Sequence, residues 1–447
     1  MTYQETLEYL YASQPAFHLV GAAAYKPGLD NTLRLMEHLG NPHRRFRSVH
    51  IAGTNGKGST SHLIAASLQA AGLRVGLYTS PHLADFRERI RLNGQMISED
   101  YIVRFVEDNK AFLEQICPSF FETTMALAFA YFADMQVDVA VVEGGVGGKL
   151  DSTNIITPML SVITNIGFDH TEFLGDTLPK IAAEKAGIIK PDVPCVIGET
   201  DPQTAPVFLQ KAQACGILGD GLETTGCRLW FADQCGYLRR CRLRDIPECQ
   251  LHGIYQDKNQ QTAYVALRVL QNYSPIGTHI TTAAIRKGFA EVCSLTGLRG
   301  RWEKLADKPL TICDTGHNSH GLRYVAQQLS DLQTHHKGTL FVVFGMVSDK
   351  DVDVVMRLLP ATRIANGTTQ NVRYCFVQPD THRAIPAEEM LERWQQVHPE
   401  DTTAEAIPDI AKALQYVQSA TMPNDIIFIG GSNYVVGTAL KLYPNTH

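Results

Sequence analysis

A glycine-rich turn at residues 53–59, GTNGKGS, lies between a short apolar run and a helix-like stretch. Glycines let backbone N–H groups converge on a phosphate, and Lys57 is placed to reach a terminal phosphate from the start of the helix. The common phosphate-loop pattern, G-x-x-x-x-G-K-[ST], requires Gly at position 51 and Ser or Thr at position 58. The chain has Ile51 and Gly58 there. Nucleotide binding is nevertheless favoured over a plain turn, because Lys57 stands among three glycines at the turn itself.

Polar side chains follow three further strand-like runs. Ser80 comes after the second run, Glu143 after the third, and Asp169 with His170 after the fourth. Ligands of parallel α/β sheets gather outside the carboxyl ends of the strands. A carboxylate at the end of an apolar strand is costly without a cation, and Mg²⁺ is the natural partner in an ATP site. Solvent exposure or an arginine partner would also satisfy Glu143, and a hydrogen-bonded loop position would satisfy His170.

Strand-like and helix-like segments alternate in both halves of the chain, which is typical of parallel sheets with crossover helices. In the first half, strands are predicted at 48–51, 74–78, 137–142, 160–164 and 195–197, and helices at 59–71, 99–116, 123–134 and 178–186. An antiparallel hairpin (227–232 with 237–243) and helices at 257–271 and 281–293 follow. The second half has strands at 310–313, 339–344, 373–377 and 425–429, and helices at 321–332, 352–359, 387–396 and 407–419.

This pattern predicts an α/β protein of two domains. The larger, at residues 1–297, contains the phosphate loop (a P-loop variant) and a mostly parallel sheet. The smaller, at residues 298–447, is a Rossmann-like α/β domain.

The composition excludes several classes of protein. The 447 residues carry 40 Lys+Arg and 46 Asp+Glu, a net charge of −6 that argues against nucleic-acid or anionic-membrane partners. No apolar run reaches the ~18–20 residues that span a bilayer, and no signal-peptide pattern opens the chain. We therefore expect a soluble, cytoplasmic protein of the size of an enzyme. We also predict that it is a monomer and that its partners are small molecules. A loose group of cysteines, at positions 227, 235, 241 and 249, favours free thiols over zinc by its spacing.

The altered phosphate loop resembles that of the folylpolyglutamate synthase and dihydrofolate synthase family, a branch of the Mur-type ATP-dependent amide ligases. Further motifs of that family match in order along nearly the whole chain: TSPHL at 79–83, EGGVGGKLDSTN at 143–154, DH at 169–170, EKAGI at 184–188, GR at 300–301, DTGHN at 314–318 and DKD at 349–351.

The resemblance implies a magnesium site and a set of catalytic residues. Ser80, Glu143 and His170 fall on the family's magnesium-ligand positions, and Lys185 falls on a lysine that is carbamylated there and helps to hold the second ion. A helical Glu-Lys pair would otherwise indicate a solvated face. A carbamate replaces the positive charge with oxygen donors, which suit a hard cation. Lys57, Glu143, His170 and Lys185 are the implied catalytic residues.

The resemblance also implies an ATP site to which both domains contribute. The family's ATP-contacting positions correspond here to Gly53, Thr54, Asn55, Gly56, Lys57, Gly58, Ser59, Asn259, Arg301 and Asp314, with Gln256 in the stretch beside the adenine or ribose. A planar, permanently charged guanidinium at 301 suits phosphate, although Arg301 and Asp314 would also fit a structural pair. For His317, substrate positioning and strand-end capping are equally open.

The pteroate or folate side is implied at three segments. They are Lys26, Pro27, Gly28 and Leu29; Phe121, Glu122, Thr123 and Thr124; and Leu150, Asp151 and Ser152. For Glu122, taken by itself, plain complementarity with the positive end of a helix is an equal alternative.

The resemblance implies a ligase that uses ATP and Mg²⁺ to join L-glutamate to dihydropteroate, to reduced folates, or to both, through an acyl phosphate. Such chemistry requires alignment and charge neutralisation more than a protein nucleophile. The alternatives are an enzyme with only the folylpolyglutamate activity, a Mur-type ligase with another carboxylate acceptor, and a non-catalytic nucleotide-binding protein. The last alternative predicts loss of Glu143, His170 or Lys185, and all three are present.

Overall fold

The computed structural model describes residues 1–14, 28–216, 228–234, 246–336, 338–348, 352–365 and 368–443. The chain divides into two compact units. The first comprises Met1–His82, Phe86–Gln250 and Gln256–Leu298. The second comprises Leu83–Asp85, Leu251–Tyr255 and Arg299–His447. The functions that the sequence assigns to the two domains stay predictions.

The first unit contains one twisted sheet of eight described strands. They are β1 (Arg47–Ala52), β2 (Val75–Tyr78), β3 (Ile90–Leu92), β4 (Gln95–Met96), β5 (Val139–Glu143), β6 (Leu160–Ile163), β7 (Cys195–Ile197) and β8 (Leu229–Phe231). The order across the sheet is β4-β3-β2-β5-β1-β6-β7-β8. β2 and β5 to β8 run parallel with β1, whereas β3 and β4 pair antiparallel beyond β2. The predicted mostly parallel sheet is therefore confirmed.

Helices cover both faces of this sheet, as crossover connections between parallel strands require. They are α1 (Tyr3–Ser13), α2 (Asp30–His38), α3 (Lys57–Ala70), α4 (Glu99–Ile116), α5 (Phe120–Asp134), α6 (Thr171–Leu174), α7 (Leu178–Lys185), α8 (Ala205–Ala214), α9 (Gln256–Tyr273), α10 (Thr282–Ala290) and α11 (Val292–Thr296). α5 is apolar on nearly every side, and its burial among α2, β2 and the 3₁₀ helices beside it follows from that composition.

Three local features differ from the sequence-based expectation. The phosphate-loop helix begins at Lys57, two residues earlier than predicted, because Gly56 takes the left-handed conformation directly before it. β3 and β4 were not expected, since strands of two or three residues carry little pattern. Leu229–Phe231, from the first half of the predicted hairpin, pairs in parallel with β7, and residues 237–243 lie outside the described residues.

The second unit has its own sheet, in the order β15-β14-β11-β16-β10-β9. Its strands are β9 (Glu303–Asp307), β10 (Leu310–Asp314), β11 (Leu340–Phe344), β14 (Val372–Phe376), β15 (Glu405–Ala406) and β16 (Ile426–Gly430), and a separate pair is formed by β12 (Arg363–Ala365) and β13 (Thr368–Gln370). All neighbours in the larger sheet are parallel except β9, which pairs antiparallel with β10.

Apolar clusters lie on both faces of the second sheet and are closed by helices. The helices are α12 (Ser319–His335), α13 (Val352–Leu358), α14 (Ala387–Val397), α15 (Ile410–Ala420) and α16 (Asn433–Leu442). Trp394 on α14 is fully buried and lies 4.0 Å, centroid to centroid, from the Tyr374 ring of β14. Parallel strands with helices on both faces give this unit the predicted Rossmann-like α/β architecture.

Candidate nucleotide and acceptor site

The phosphate loop joins β1 to α3, and its backbone requires glycine at two positions. Gly53 has φ +146° and Gly56 has φ +80°, conformations that other residues rarely adopt. A Cβ at position 53 would overlap the Thr164 hydroxyl, and one at position 56 would overlap the Asn259 amide. The loop can therefore approach the end of β6 and the start of α9 only because both positions lack a side chain.

Asn165 anchors the loop from the neighbouring strand end and was not among the predicted site residues. Its backbone oxygen accepts from Thr54 N at 3.0 Å, and its side-chain oxygen accepts from Asn55 N at 2.8 Å. The Thr164 hydroxyl donates to Asn55 O at 2.6 Å. The available sequence signal was position alone, since Thr164 is the last residue of the strand predicted at 160–164 and Asn165 directly follows it.

Lys57 and Ser59 occupy the first turn of α3. The Lys57 ammonium donates to Gly53 O at 3.0 Å and to Thr54 O at 3.1 Å, so it lies over the loop. The Ser59 hydroxyl accepts from Gln256 Nε2 at 3.1 Å, and Gln256 Oε1 accepts from Asn259 Nδ2 at 2.8 Å. The structure thus brings the predicted phosphate-loop residues into direct contact with the predicted nucleotide residues of α9.

Glu143 ends β5 beside the phosphate loop. The β1–β5 register pairs Ile51 with Glu143, and Gly144 N donates to Ile51 O at 2.8 Å. The Glu143 side chain is 3% exposed, and its Oε2 accepts from Ser80 N at 3.2 Å. Solvent exposure therefore does not account for this carboxylate, and Ser80 and Glu143 lie together as the sequence predicts.

His170 and Lys185 follow β6, the strand on the other side of β1 from β5. His170 has φ +50°, and its backbone N–H donates to Asp169 Oδ1 at 3.0 Å. Lys185, at the end of α7, is 3% exposed, so the solvated-face alternative is wrong. Burial, reinforced by the charge of nearby Lys57, lowers the pKa of the Lys185 amine to about 7, against the opposing charges of Asp169 and Asp151.

The donors present suit Mg²⁺ in part. Among the residues that the structure describes, no group of three or more His, Cys, Asp and Glu side chains is arranged as a metal site. Mg²⁺ is commonly held by one or two carboxylates together with phosphate and water oxygens. The buried Glu143 carboxylate, next to Ser80, supplies hard oxygen donors of this kind, and the full ligand set stays a prediction.

Asp151 lies at the centre of the segment predicted for the acceptor. Its Oδ2 accepts from Gly145 N at 2.8 Å, and its Oδ1 accepts from Thr153 N at 3.0 Å and from the Thr153 hydroxyl at 2.5 Å. Burial raises the pKa of this carboxyl, although these hydrogen bonds oppose the shift. Ser152 is buried beside it, whereas the Leu150 side chain is 37% exposed.

The Phe121–Thr124 segment reaches the same region from α5. The Phe121 ring lies directly against Gly145, with no room for a Cβ there, and its centroid is 5.9 Å from that of Tyr78. The Tyr78 hydroxyl is 3.1 Å from the Thr124 hydroxyl, and Thr123 is buried. The turn that follows Glu143 therefore contacts both residues: Gly145 packs against the Phe121 ring and donates its N–H to Asp151.

Glu122 has a structural role in the same helix. Its Oε2 accepts from Ser119 N at 2.8 Å and from the Ser119 hydroxyl at 2.9 Å, which completes a capping box. Its Oε1 accepts from the Thr32 hydroxyl at 3.1 Å. These bonds agree with the helix-end alternative, and a substrate contact by Glu122 stays a prediction.

Several predicted residues lie elsewhere or outside the described residues. Gly28, with φ +123°, and Leu29 directly precede α2. Lys26 and Pro27, the DKD motif at 349–351 and the cysteines at 227, 235 and 241 lie outside the described residues. Cys249 forms no disulfide with the residues that the structure describes.

Asp314 is the most constrained predicted residue of the second unit. It is 2% exposed; its Oδ2 accepts from the Tyr255 hydroxyl at 2.5 Å and from Trp302 N at 2.7 Å, and its Oδ1 accepts from Gly316 N at 2.7 Å. Burial raises the pKa of this carboxyl. Arg301 donates to Gly300 O at 3.3 Å, and His317 Nδ1 lies 3.0 Å from Thr315 O. The His317 contact resembles strand-end capping, and its role in substrate positioning stays a prediction.

No described helix is both long and apolar enough to cross a bilayer.

The Mur ligase middle domain matches residues 51–217, and the Mur ligase glutamate ligase domain matches residues 300–433. These two matches place the protein in the Mur ligase class, to which its fold and its phosphate loop correspond.

Relatives and solved structures narrow the class. A dihydrofolate synthase/folylpolyglutamate synthase of Bacillus subtilis is 32% identical over 434 residues, covering 93% of this chain and 95% of that protein. The Mycobacterium tuberculosis folylpolyglutamate synthase complexed with ADP superposes with a TM-score of 0.81 at 27% identity, over 99% and 98% of the two chains. A bifunctional folylpolyglutamate synthase/dihydrofolate synthase with Mn, AMPPNP and L-glutamate bound has a TM-score of 0.77, 27% identity and coverage of 99% and 98%. The chain belongs to the dihydrofolate synthase/folylpolyglutamate synthase family.

Proposed function

We propose that this protein is an ATP-dependent amide ligase that adds L-glutamate to dihydropteroate and to reduced folates. The observation that carries the proposal is the pairing of Ile51 with Glu143. This register sets the phosphate loop after β1 beside a buried carboxylate and beside the turn that Phe121 and Asp151 contact. One edge of one sheet therefore carries groups suited to a nucleotide, a hard cation and an aromatic acid.

The reaction proceeds in two displacements. The acceptor carboxylate attacks the γ-phosphorus of ATP, which forms an acyl phosphate and releases ADP. The amine of glutamate then attacks the acyl carbon, phosphate leaves with the electron pair of the broken C–O bond, and the nitrogen loses a proton. Lys57 and the loop N–H groups neutralise and align the phosphates, which is the main requirement of such transfers.

Bound Mg²⁺ would supply charge neutralisation at the phosphates, and its ligands in this proposal are Ser80, Glu143, His170 and carbamylated Lys185. The burial of Lys185 supports the carbamate, because the lowered pKa of its amine makes the neutral, reactive form accessible near pH 7. The loss of its positive charge would also relieve repulsion from Lys57.

The remaining predicted contacts belong to the same proposal. ATP is contacted by residues 53–59, Asn259, Arg301 and Asp314, and the hydrogen-bonded chain from Ser59 through Gln256 to Asn259 supports the α9 contact. The acceptor is contacted by residues 26–29, 121–124 and 150–152, and the Phe121–Gly145–Asp151 contacts support the last two segments. We further propose that the enzyme is cytoplasmic and acts as a monomer. Sedimentation of the purified protein tests the monomeric state.

The decisive experiment offers the purified protein ATP, Mg²⁺ and glutamate with either dihydropteroate or a reduced folate monoglutamate. We expect a glutamylated product from both acceptors, with ADP and phosphate released in equal amounts. Product from one acceptor would reduce the enzyme to a single activity, and product from neither would favour a Mur-type ligase with another acceptor.

Matched lysine variants show whether the phosphate loop is responsible. Lys57→Met is expected to abolish turnover, because it removes the ammonium that lies over the loop. Lys180→Met is the control, since this exposed lysine pairs with Asp176 on the surface, and its turnover should match that of the wild-type protein.

A further inference from the structure

Arg89 is a buried cation that the predicted site did not include. It ends the 3₁₀ helix Phe86–Arg89 and is 3% exposed. Its Nε donates to His82 Nδ1 at 2.8 Å, and its Cζ lies 5.3 Å from the centroid of the Phe120 ring. In the described part of the chain, the bond to His82 is the only hydrogen bond of this guanidinium. The N–H groups of its two Nη atoms are therefore left for another acceptor.

The backbone places Arg89 at the edge of the proposed site. β3 pairs with β2 so that Ile90 stands opposite Tyr78, and Thr79 N donates to Arg89 O at 3.0 Å. The next residue, Ser80, holds Glu143 through its backbone N–H. Glu143 is also close enough for its charge to act on the guanidinium.

The aromatic side chains around Arg89 continue toward the proposed acceptor segment. Phe120 lies under the guanidinium, and the ring of Phe121, the next residue of α5, lies tilted beside the Tyr78 ring and packs against Gly145. Arg89 is thus linked through Phe120 to the segment proposed for the acceptor ring, and through Thr79 and Ser80 to the carboxylate proposed for the cation.

A buried guanidinium with unused N–H groups is unfavourable unless an anion completes it. Its planar fork matches a carboxylate, which accepts two parallel hydrogen bonds. Lysine would supply a point charge and not this geometry. The acceptor of the proposed reaction is an aromatic acid whose carboxylate must be presented to the γ-phosphate of ATP.

We propose that Arg89 binds the carboxylate of the acceptor through its Nη N–H groups and aligns it beside Glu143. The inference rests on the proposed function, because that function supplies the aromatic acid. His82 and Phe120 hold the guanidinium in place from its Nε side and from one face. Arg89 is then a substrate-binding residue for both acceptors, since each presents a carboxylate at the reacting position.

The test compares binding of pteroic acid with binding of its neutral carboxamide by calorimetry, without metal or nucleotide. The two compounds share the ring system and differ in the charge that Arg89 would recognise. We expect the wild-type protein to prefer the acid by about 10- to 100-fold, the range of a charge-assisted hydrogen-bonded pair. Arg89→Met should bring the two affinities close together by weakening the acid alone.

Two further variants sharpen the comparison. Arg89→Lys keeps the charge and loses the fork, so its preference should be intermediate, and it serves if Arg89→Met fails to fold. Arg104→Met is the matched control, because Arg104 also lies over an aromatic ring, that of Tyr101 at 5.7 Å, but is exposed. Its preference should equal that of the wild-type protein.

The outcomes separate this inference from the function on which it rests. Equal binding of acid and carboxamide by the wild-type protein would overturn the assignment of Arg89 and leave the acceptor class standing. An unchanged preference in the Arg89 variants, or equal weakening of both compounds, would overturn it as well. Failure of the wild-type protein to bind either compound would overturn the proposed acceptor and the Arg89 assignment with it.

Discussion

Acidification should destabilise the first unit through His50, a fully buried histidine on β1. Its Nε2 lies 2.8 Å from the Thr153 hydroxyl, which itself donates to Asp151. Nε2 therefore carries the proton and donates to Thr153. The opposite nitrogen, Nδ1, is buried without a hydrogen-bond partner in the described part of the chain. Protonation would put a second N–H where the described residues offer no acceptor, and burial lowers the pKa of His50 from 6.5 to about 3.

The sign and size of the effect follow from linkage. The unfolded chain binds a proton near pH 6.5 and the folded chain only near pH 3, so stability is present above pH 6.5 and is lost as the pH falls. Between pH 7 and pH 4.5 these two values correspond to a loss of about 2.5 kcal/mol of unfolding free energy. That is roughly 70-fold in the equilibrium between folded and open states.

Hydrogen exchange of peptides from β1 at the two pH values, corrected for intrinsic rates, measures this loss. His50→Gln is the matched variant, because an amide can still donate to Thr153 but does not titrate. Carboxylates elsewhere affect both proteins alike, so the wild-type protein should lose about 2.5 kcal/mol more than the variant. Equal losses in the two proteins would refute the reasoning.

Three further substitutions test the site and its frame. Glu143→Ala should lower kcat about 100-fold or more while ATP affinity, measured by calorimetry, changes only a few-fold, because the phosphate loop remains; unchanged turnover would remove Glu143 from the reaction. Lys185→Ala should likewise abolish turnover, and a crystal structure with ATP and magnesium that shows an unmodified amine at Lys185 would contradict the carbamate. Glu122→Ala should lower the free energy of unfolding by about 1–2 kcal/mol through loss of a buried cap. Glu5→Ala, in the exposed capping box of α1, is its control and should lower the free energy of unfolding less. A larger loss in Glu5→Ala than in Glu122→Ala would contradict the structural role of Glu122.

The acceptor side shows how far local pattern reaches. Capping residues and helical periodicity are properties of adjacent positions. They predict both ends of α4, and they predict the start of α5 to within three residues. The same information leaves Glu122 divided between capping and binding. Only the packed structure settles its hydrogen bonds, because the Thr32 hydroxyl that engages its second oxygen lies 90 residues away.

The sequence by itself determined the alternation of strands and helices, the two α/β domains and the phosphate loop, since each is encoded in neighbouring residues. Tertiary structure alone decided that Asn165 anchors that loop across 110 residues and that Lys185 is buried. It also decided that Arg89 is buried and that its backbone pairs with Thr79, the residue before the Ser80–Glu143 contact. The physical reason is that burial, pKa and hydrogen-bond partners depend on which strands become neighbours in the sheet. That order, with β1 between β5 and β6, is a property of the folded chain and of no local segment.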